Sequence, residues 1–229
     1  MGTTNTRMAD SRDMIGAHVC FRREFRDLPL VVRRVTAGDK ADAATIAAHA
    51  EFLVDLMHHH HRGEDTGVWP LLHRRCPDET QKLVTTMEEQ HAHLDRALED
   101  IKSSARQWGL TATTADREAV ARHAEALLVP LAEHLDLEES KVLPLIDTYL
   151  TEGEWKAVVG GEAATIPKKQ LPLVFGMMLY DADDVTQRMM RTNVPALLWP
   201  VFSHLARRSY AKYAQAVHGT AAPRHFRAG

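Results

Sequence analysis

The 229-residue chain is short of several things, and each shortage removes a class of protein. Only two cysteines are present, Cys20 and Cys76, far apart and without a CxxC pairing. That excludes a disulfide framework and a zinc ribbon, and it suits a reducing cytoplasm. No long apolar run occurs: the longest, LPLVFGMML at 171–179, is too short to span a bilayer. The opening residues MGTTNTRMAD lack the apolar core of a signal peptide, so neither export nor membrane residence is expected. Gly2 to Thr6 fit only the loose, chance-prone myristoylation pattern. Lysine and arginine (28) are slightly outnumbered by aspartate and glutamate (31). No segment concentrates positive charge, which argues against a nucleic-acid partner. Aromatics make up 6%, and β-branched alternating runs are scarce, which argues against a sheet.

What remains is rich in alanine, leucine, glutamate and arginine, with apolar positions recurring every three or four residues. Four long helices are expected at about 11–34, 40–74, 78–108 and 114–150. Gly38-Asp39, Cys76-Pro77-Asp78 and Gly109 to Thr114 mark the breaks. Asp39 can cap the second helix, and Thr113 with Asp116 can cap the fourth. Short connections between long helices predict antiparallel neighbours, hence an all-α, up-down four-helix bundle over residues 1–150.

After Leu150, Thr151 to Glu154 reads as a capping box. Prolines at 167, 172, 195 and 200 then divide shorter helical pieces. Residues 151–229 are thus expected to form a C-terminal helical extension packed on the bundle. Its last helix, about 196–218, would pack through Leu197, Leu198, Val201, Phe202 and Leu205. Tyr180, Trp199, Tyr210 and Tyr213 are candidates to line an organic pocket, or else residues of the helices' own packing.

The organising feature is an internal repeat at an offset of 74 residues. Segment 47–72, AAHAEFLVDLMHHHHRGEDTGVWPLL, and segment 121–146, ARHAEALLVPLAEHLDLEESKVLPLI, agree without a gap at 10 of 26 positions. The agreements include His49/His123, Glu51/Glu125, His60/His134, Glu64/Glu138 and Pro70/Pro144. His18 and His91 precede His60 and His134 by 42 and 43 residues. The bundle therefore reads as two similar helical hairpins related by a pseudo-twofold axis.

Each hairpin offers one histidine from its first helix and a His-x-x-x-Glu pair from its second. Residues four apart share a helix face, so His60 with Glu64 and His134 with Glu138 each form a two-residue claw. His18 and His91 complete a set of four imidazoles and two carboxylates. Such a nitrogen and oxygen set without thiolate suits iron or manganese, and two acids offset the repulsion of two close cations. Within the HHHH run, His60 lies in line with Leu53, Leu56, Met57 and Glu64. His59 and His61 fall about 100° away and His58 about 200°, so His60 is expected to be the inward member. The repeat also selects His60, and it predicts two similar metal positions.

The pattern His18, His60-x-x-x-Glu64, His91, His134-x-x-x-Glu138 resembles the hemerythrin, or HHE cation-binding, family. The likeness covers about 1–150 and includes Glu64-Asp65 before Trp69-Pro70 and Glu138-Glu139 before Leu143-Pro144. It implies a non-haem di-iron centre, two iron ions bridged by oxide or hydroxide with iron ahead of manganese, that binds dioxygen, peroxide or nitric oxide. Where oxygen carriers of that family have His-x-x-x-His on the third helix, this chain has Asp95, so the five-histidine site of those carriers is expected to be lost. Their closing acid also corresponds to Glu139, whereas the repeat favours Glu138.

Asp95, one turn after His91, reads either as an additional ligand or proton acceptor, or as the partner of Arg22 in a buried ion pair beside the metals. Asp65 and Glu139 belong to the same surrounding layer. His49 and His123 lie about 16 Å along their helices from His60 and His134, too far to share those metals, and read as a polar plug or a proton path. Three functions follow: oxidant processing of a peroxidase or catalase kind, storage or sensing without turnover, and oxidation of a small organic substrate beneath the extension. An apolar channel under the extension would favour the last. A ferritin-like centre, the structural runner-up, would need Glu-x-x-His order, which is absent, and mononuclear zinc ranks below it.

Overall fold

The computed structural model describes residues 7–192 and 194–226. Gly2 to Thr6 lie outside the described residues. The described chain is helical throughout: α1 (Asp13–Arg34), α2 (Lys40–Gly67), α3 (Trp69–Arg75), α4 (Asp78–Thr111), α5 (Thr114–Leu137), α6 (Leu143–Tyr149), α7 (Glu152–Thr165), α8 (Leu171–Asp181), α9 (Asp184–Thr192) and α10 (Trp199–His218). A π-helical turn, Glu138–Val142, joins α5 to α6. The sole extended pairing among the described residues is a bridge of Met8 with Thr151.

The helix starts follow their caps. The Asp39 side chain accepts from the Asp42 N–H at 3.0 Å, Thr113 Oγ1 from the Asp116 N–H at 3.2 Å, and Thr151 with Glu154 forms a complete capping box. The ends depart from expectation. Helix α4 runs through Gly109 to Thr111, because Gly109 faces Ala47 of α2 across a gap that a Cβ would narrow to 3.0 Å. It reads as a break in sequence and acts as a close-packing position. The repeated prolines divide the two ligand-bearing helices: Pro70 lies in the first turn of α3 and Pro144 in the first turn of α6. A proline lacks the N–H that would continue the ladder and is tolerated in a first turn. The second helix accordingly reorients at Val68, and the fourth widens into the π turn.

Helices α1, α2, α4 and α5 form a closed ring, each packed on two others, α1 on α2 and α5, and α4 on α2 and α5. The contacts run in opposite directions along each pair. Lys102 and Arg106 of α4 reach Asp55 and Glu51 of α2, and Arg22 and Arg33 of α1 reach Asp136 and Glu118 of α5. These are antiparallel pairings. The ring encloses a continuous apolar core, including Phe25, Leu28, Ile46, Leu53, Leu98, Ile101, Trp108 and Leu127. A second cluster around Trp69, Met87 and Ile146 closes one end.

The later helices cover the α1/α2 side: α7 packs on α2, α8 and α9 on α1, and α10 on α8 and, more lightly, on α2. Of the residues expected to pack at this end, Phe202 does, against Phe175 at 4.9 Å between ring centroids; the rest of the packing face differs from the expected one. Leu197, Leu198, Val201 and Leu205 are more than half exposed, while Ala206, Tyr210, Ala214 and Val217 are buried. The reason is at Gly176 of α8, where a Cβ would lie 2.7 Å from the Ala206 carbonyl carbon. Small residues on both helices let α10 approach α8 closely, which turns Val201 and Leu205 outward.

Candidate metal centre

Each helix of the ring delivers imidazole or carboxylate groups to one level of the interior. His18, His60, Glu64, His91, His134 and Glu138 are all buried there. The two glutamates lie between the histidines. Glu64 Oε1 is 3.2 Å from His60 Nε2, and its Oε2 is 3.2 Å from His91 Nε2. Glu138 Oε2 is 3.5 Å from His18 Nε2 and 3.8 Å from His134 Nε2. Each carboxylate thus faces one histidine of each hairpin, the disposition of a bridge between two cations.

A seventh group joins them, and it corrects the view of His60 as the one inward histidine of its run. His61 is also buried, its ring stacked on His91 at 4.1 Å and edge-on to His134 at 5.5 Å. The interior arc of a ring helix spans roughly 100° or more. His60 takes the edge facing His18 and Phe21 of α1, and His61 takes the edge facing α4. Two groups follow, His18, His60, Glu64 and Glu138 in one, and His61, His91 and His134 in the other, the ligand atoms of each lying within 4.8 Å of one another. The two groups are therefore unequal, two histidines with two carboxylates against three histidines, where the repeat implied a similar pair. Five histidines are present after all, the fifth from α2.

Whether these groups fit metal is tested by their unused atoms. Among the described residues ten buried side-chain nitrogen and oxygen atoms have no hydrogen-bond partner. Nine are here: Nε2 of His18, His60, His61, His91 and His134 and both oxygens of Glu64 and Glu138. Unsatisfied buried polar atoms are costly and rare, so nine aimed at one centre mark a cation site. Burial, reinforced by neighbouring imidazoles, holds His60 far below the usual imidazole range and His134 down to about 2. Burial likewise brings His61 to about 4 against its hydrogen bond to Asp95. Burial, with the charge of Glu162 for Glu64 and of Glu64 for Glu138, raises both carboxyls well above their ordinary range. Neutral imidazoles and carboxylates that resist ionising alone are what a bound cation relieves.

The opposite ring nitrogens are held from behind. His18 Nδ1 donates to Glu139 at 2.9 Å, His91 Nδ1 to Asp65 at 2.8 Å, His61 Nδ1 to Asp95 at 2.9 Å and His134 Nδ1 to the Gln90 side-chain oxygen at 3.1 Å. Each bond fixes the tautomer that leaves Nε2 free for metal. Glu139 and Asp65, which are repeat counterparts, do the same task on opposite sides. Glu139 is in turn held by Arg22 at 2.5 Å and Asp65 by the Trp69 indole N–H at 3.0 Å.

Asp95 neither points into the centre nor meets Arg22. It holds His61, and that hydrogen bond keeps it below the ordinary carboxylate value although burial acts the other way. Arg22 pairs with Asp136 of α5 and Glu139 of the π turn. Helices α1 and α4 are diagonal in the ring, which puts the expected Arg22–Asp95 pair out of reach. His49 and His123 also part company: His49 is buried against Tyr213, and half-buried His123 bonds Ser104 and the Asp100 carbonyl.

An apolar cavity of about 310 Å³ lies between α1, α2 and the later helices. His60, Phe21, Cys20, Leu56, Trp155 and Phe175 are among its walls. Tyr180, Trp199, Tyr210 and Tyr213 are not. Glu162 of α7 also lines it and packs over Gly63 of α2. Burial, then the charge of Glu138, raises its carboxyl to about 8. Nothing in the sequence marks Glu162, since it belongs to neither the repeat nor a motif.

The fold and these groups define a helical-bundle protein whose interior is built to hold metal ions between histidines and glutamates. A family model, the hemerythrin HHE cation binding domain, matches residues 11–146, and the chain belongs to that family. No curated protein and no solved structure matched the chain. Among the described residues no helix is long and apolar enough to cross a membrane.

Proposed function

We propose that this protein holds two iron ions and uses them to process a small oxidant, dioxygen, a peroxide or nitric oxide. The observation that carries the proposal is the unequal split of histidines, with the poorer side, His18 and His60, next to the apolar cavity through His60. With Glu64 and Glu138 shared, that side has four side-chain ligands (two histidines and two carboxylates) against five on the other (three histidines and the same two carboxylates), and the lower count keeps a position for an outside ligand. When bound, iron supplies electron transfer and Lewis acidity at that position.

The chain's own residues do the rest. Glu139, Asp65, Asp95 and Gln90 orient the imidazoles. The cavity walls are mostly apolar. Glu162, its carboxyl raised to about 8 by burial and then by the charge of Glu138, is the acid that the cavity wall offers. Multiple-turnover consumption of hydrogen peroxide by iron-loaded protein is the expected result. Uptake of oxidant in proportion to iron, with no turnover, would leave a binding module for storage or sensing instead.

The cavity favours a second reading. Its 310 Å³ far exceeds the room a diatomic needs and falls at the small end of ligand sites. Oxidation of a small apolar organic molecule is therefore the runner-up. A bulky Ala17→Phe substitution in the wall separates the two: it blocks an organic substrate, while consumption of the much smaller peroxide continues.

A further inference from the structure

One other set of buried imidazole and carboxylate groups lies outside the bundle centre. Glu24 of α1, His49 of α2 and His218 at the end of α10 bring one ligand atom each to within 4.8 Å of one another. We propose that Glu24, His49 and His218 form a second, mononuclear site for a divalent transition metal of the zinc class. His49 is three helical turns, about 16 Å, from His60, so the two sites are separate.

The geometry is that of a site short of its ion. Glu24 Oε2 is 3.1 Å from His218 Nε2 and 3.7 Å from His49 Nε2. Ligands about 2.0–2.1 Å from a tetrahedral zinc stand about 3.3–3.4 Å apart, between those two values. The other carboxylate oxygen is already used, accepting from Arg23 Nε at 3.0 Å, Arg23 Nη2 at 2.8 Å and the Tyr210 hydroxyl at 2.9 Å. Oε2 is the oxygen left for the imidazoles.

The second observation is at His49. Its ring is buried, and its Nε2 is the one unpartnered buried atom of the ten that lies outside the bundle centre. The Tyr213 hydroxyl lies 2.9 Å from Nδ1; with Nδ1 donating to it, as a metal-bound imidazole requires, the Nε2 lone pair faces the site. A proton shared between His218 and Glu24 would leave that lone pair unused; a metal ion uses both imidazoles. Charge agrees. Arg23 is matched by Glu24 and Asp181, and Asp181 also meets His225 Nδ1 at 2.6 Å; with all three imidazoles neutral these groups carry one net negative charge.

Three side chains leave a position for water. The ion would tie the last turn of α10 to the bundle, where Arg34 already bonds the Val217 carbonyl at 2.9 Å. The repeat counterpart His123 has no such neighbours, because α10 covers only the α1/α2 side.

The test is metal titration of iron-loaded protein with Zn²⁺ alone, in a buffer that sets its free concentration, repeated with Co²⁺ to read ligand-field absorption. The wild-type chain is expected to take up one ion beyond those of the bundle centre. His218→Gln and His49→Gln are expected to weaken that ion about a hundredfold or more, above the tenfold to hundredfold that loss of a ligand's hydrogen-bond partner costs, and to leave the iron absorption unchanged. His218 is at a helix end, so its substitution spares the core; circular dichroism checks this. Anomalous diffraction at the zinc edge should place the ion among the three residues. Absence of additional uptake by the wild type, wild-type affinity in both variants, or an anomalous peak elsewhere would overturn the proposal. Because the ion is defined by its dependence on His218, failure of the di-iron proposal would not be mistaken for failure of this one.

Discussion

Replacing His61 by leucine, the residue its repeat counterpart Leu135 already carries, should have opposite effects on stability and on metal. In the metal-free protein the change removes a buried imidazole whose Nε2 has no partner and puts an apolar side chain in a fully buried position. Relieving one unsatisfied buried polar atom is worth about 1–3 kcal/mol. A net gain of about 1 kcal/mol would raise Tm by ~2–4 °C in a chain of this size. Asp95 loses its partner, but it is half-exposed and water replaces the bond. In the loaded protein the same change deletes one of the three histidines at the richer position. Structural zinc sites bind with about 10–16 kcal/mol shared among four ligands. One ligand is therefore worth about 3–4 kcal/mol, or ~10²–10³ in affinity. Iron analysis after equilibration with a chelator buffer reads this directly, alongside Tm with and without metal. The expected result is a variant that keeps about one ion where the wild type keeps two, with an unchanged or higher metal-free Tm. Two ions held with wild-type affinity would refute His61 as a ligand.

Glu139→Gln keeps the shape but removes the charge that holds His18 Nδ1 and Arg22; metal affinity should fall about tenfold to a hundredfold, and an unchanged chelator competition curve would count against it. His49 is held at about 4, chiefly by burial, below the ordinary imidazole value of about 6.5. A lowered folded-state pKa gives stability that is present above pH ~6.5 and is lost as pH falls toward ~4. In metal-free protein this amounts to about 3 kcal/mol over that window. His49→Gln should flatten Tm against pH there, and a curve parallel to the wild type would contradict the assignment. Gly176→Ala should lower Tm by several degrees, because the added Cβ meets the Ala206 carbonyl and overpacking of this kind costs about 1–3 kcal/mol; a rise, as for an exposed helical glycine, would show that α10 sits farther from α8.

Much of the centre was legible because the chain repeats itself. Two hairpins with the same spacing bring His60, Glu64, His134 and Glu138 to equivalent places, and caps such as Asp39 and Thr151 set helix starts through local hydrogen bonds that need no tertiary context. What broke the symmetry was illegible by the same route. His61 has only Leu135 as its counterpart, so a search for matching histidines passes over it, although a spacing of three from Glu64 puts it on that glutamate's side of the helix. The Arg22–Asp95 pair failed because spacing along helices does not say which helices are diagonal. Glu162 and His218 come from helices beyond the repeat, and their proximity to α2 depends on packing alone. The leucines of α10 looked like a core face; the small residues Ala206 and Gly176 were the better guide to which side packs.

The central claim is that seven side chains hold two metal ions side by side in the bundle. X-ray absorption at the iron edge, with iron analysis on the same aerobically purified sample, tests it most directly. Two irons per chain, an iron–iron scattering path and a first shell of imidazole nitrogen and carboxylate oxygen are expected. One ion per chain, or two with no metal–metal path, would contradict it.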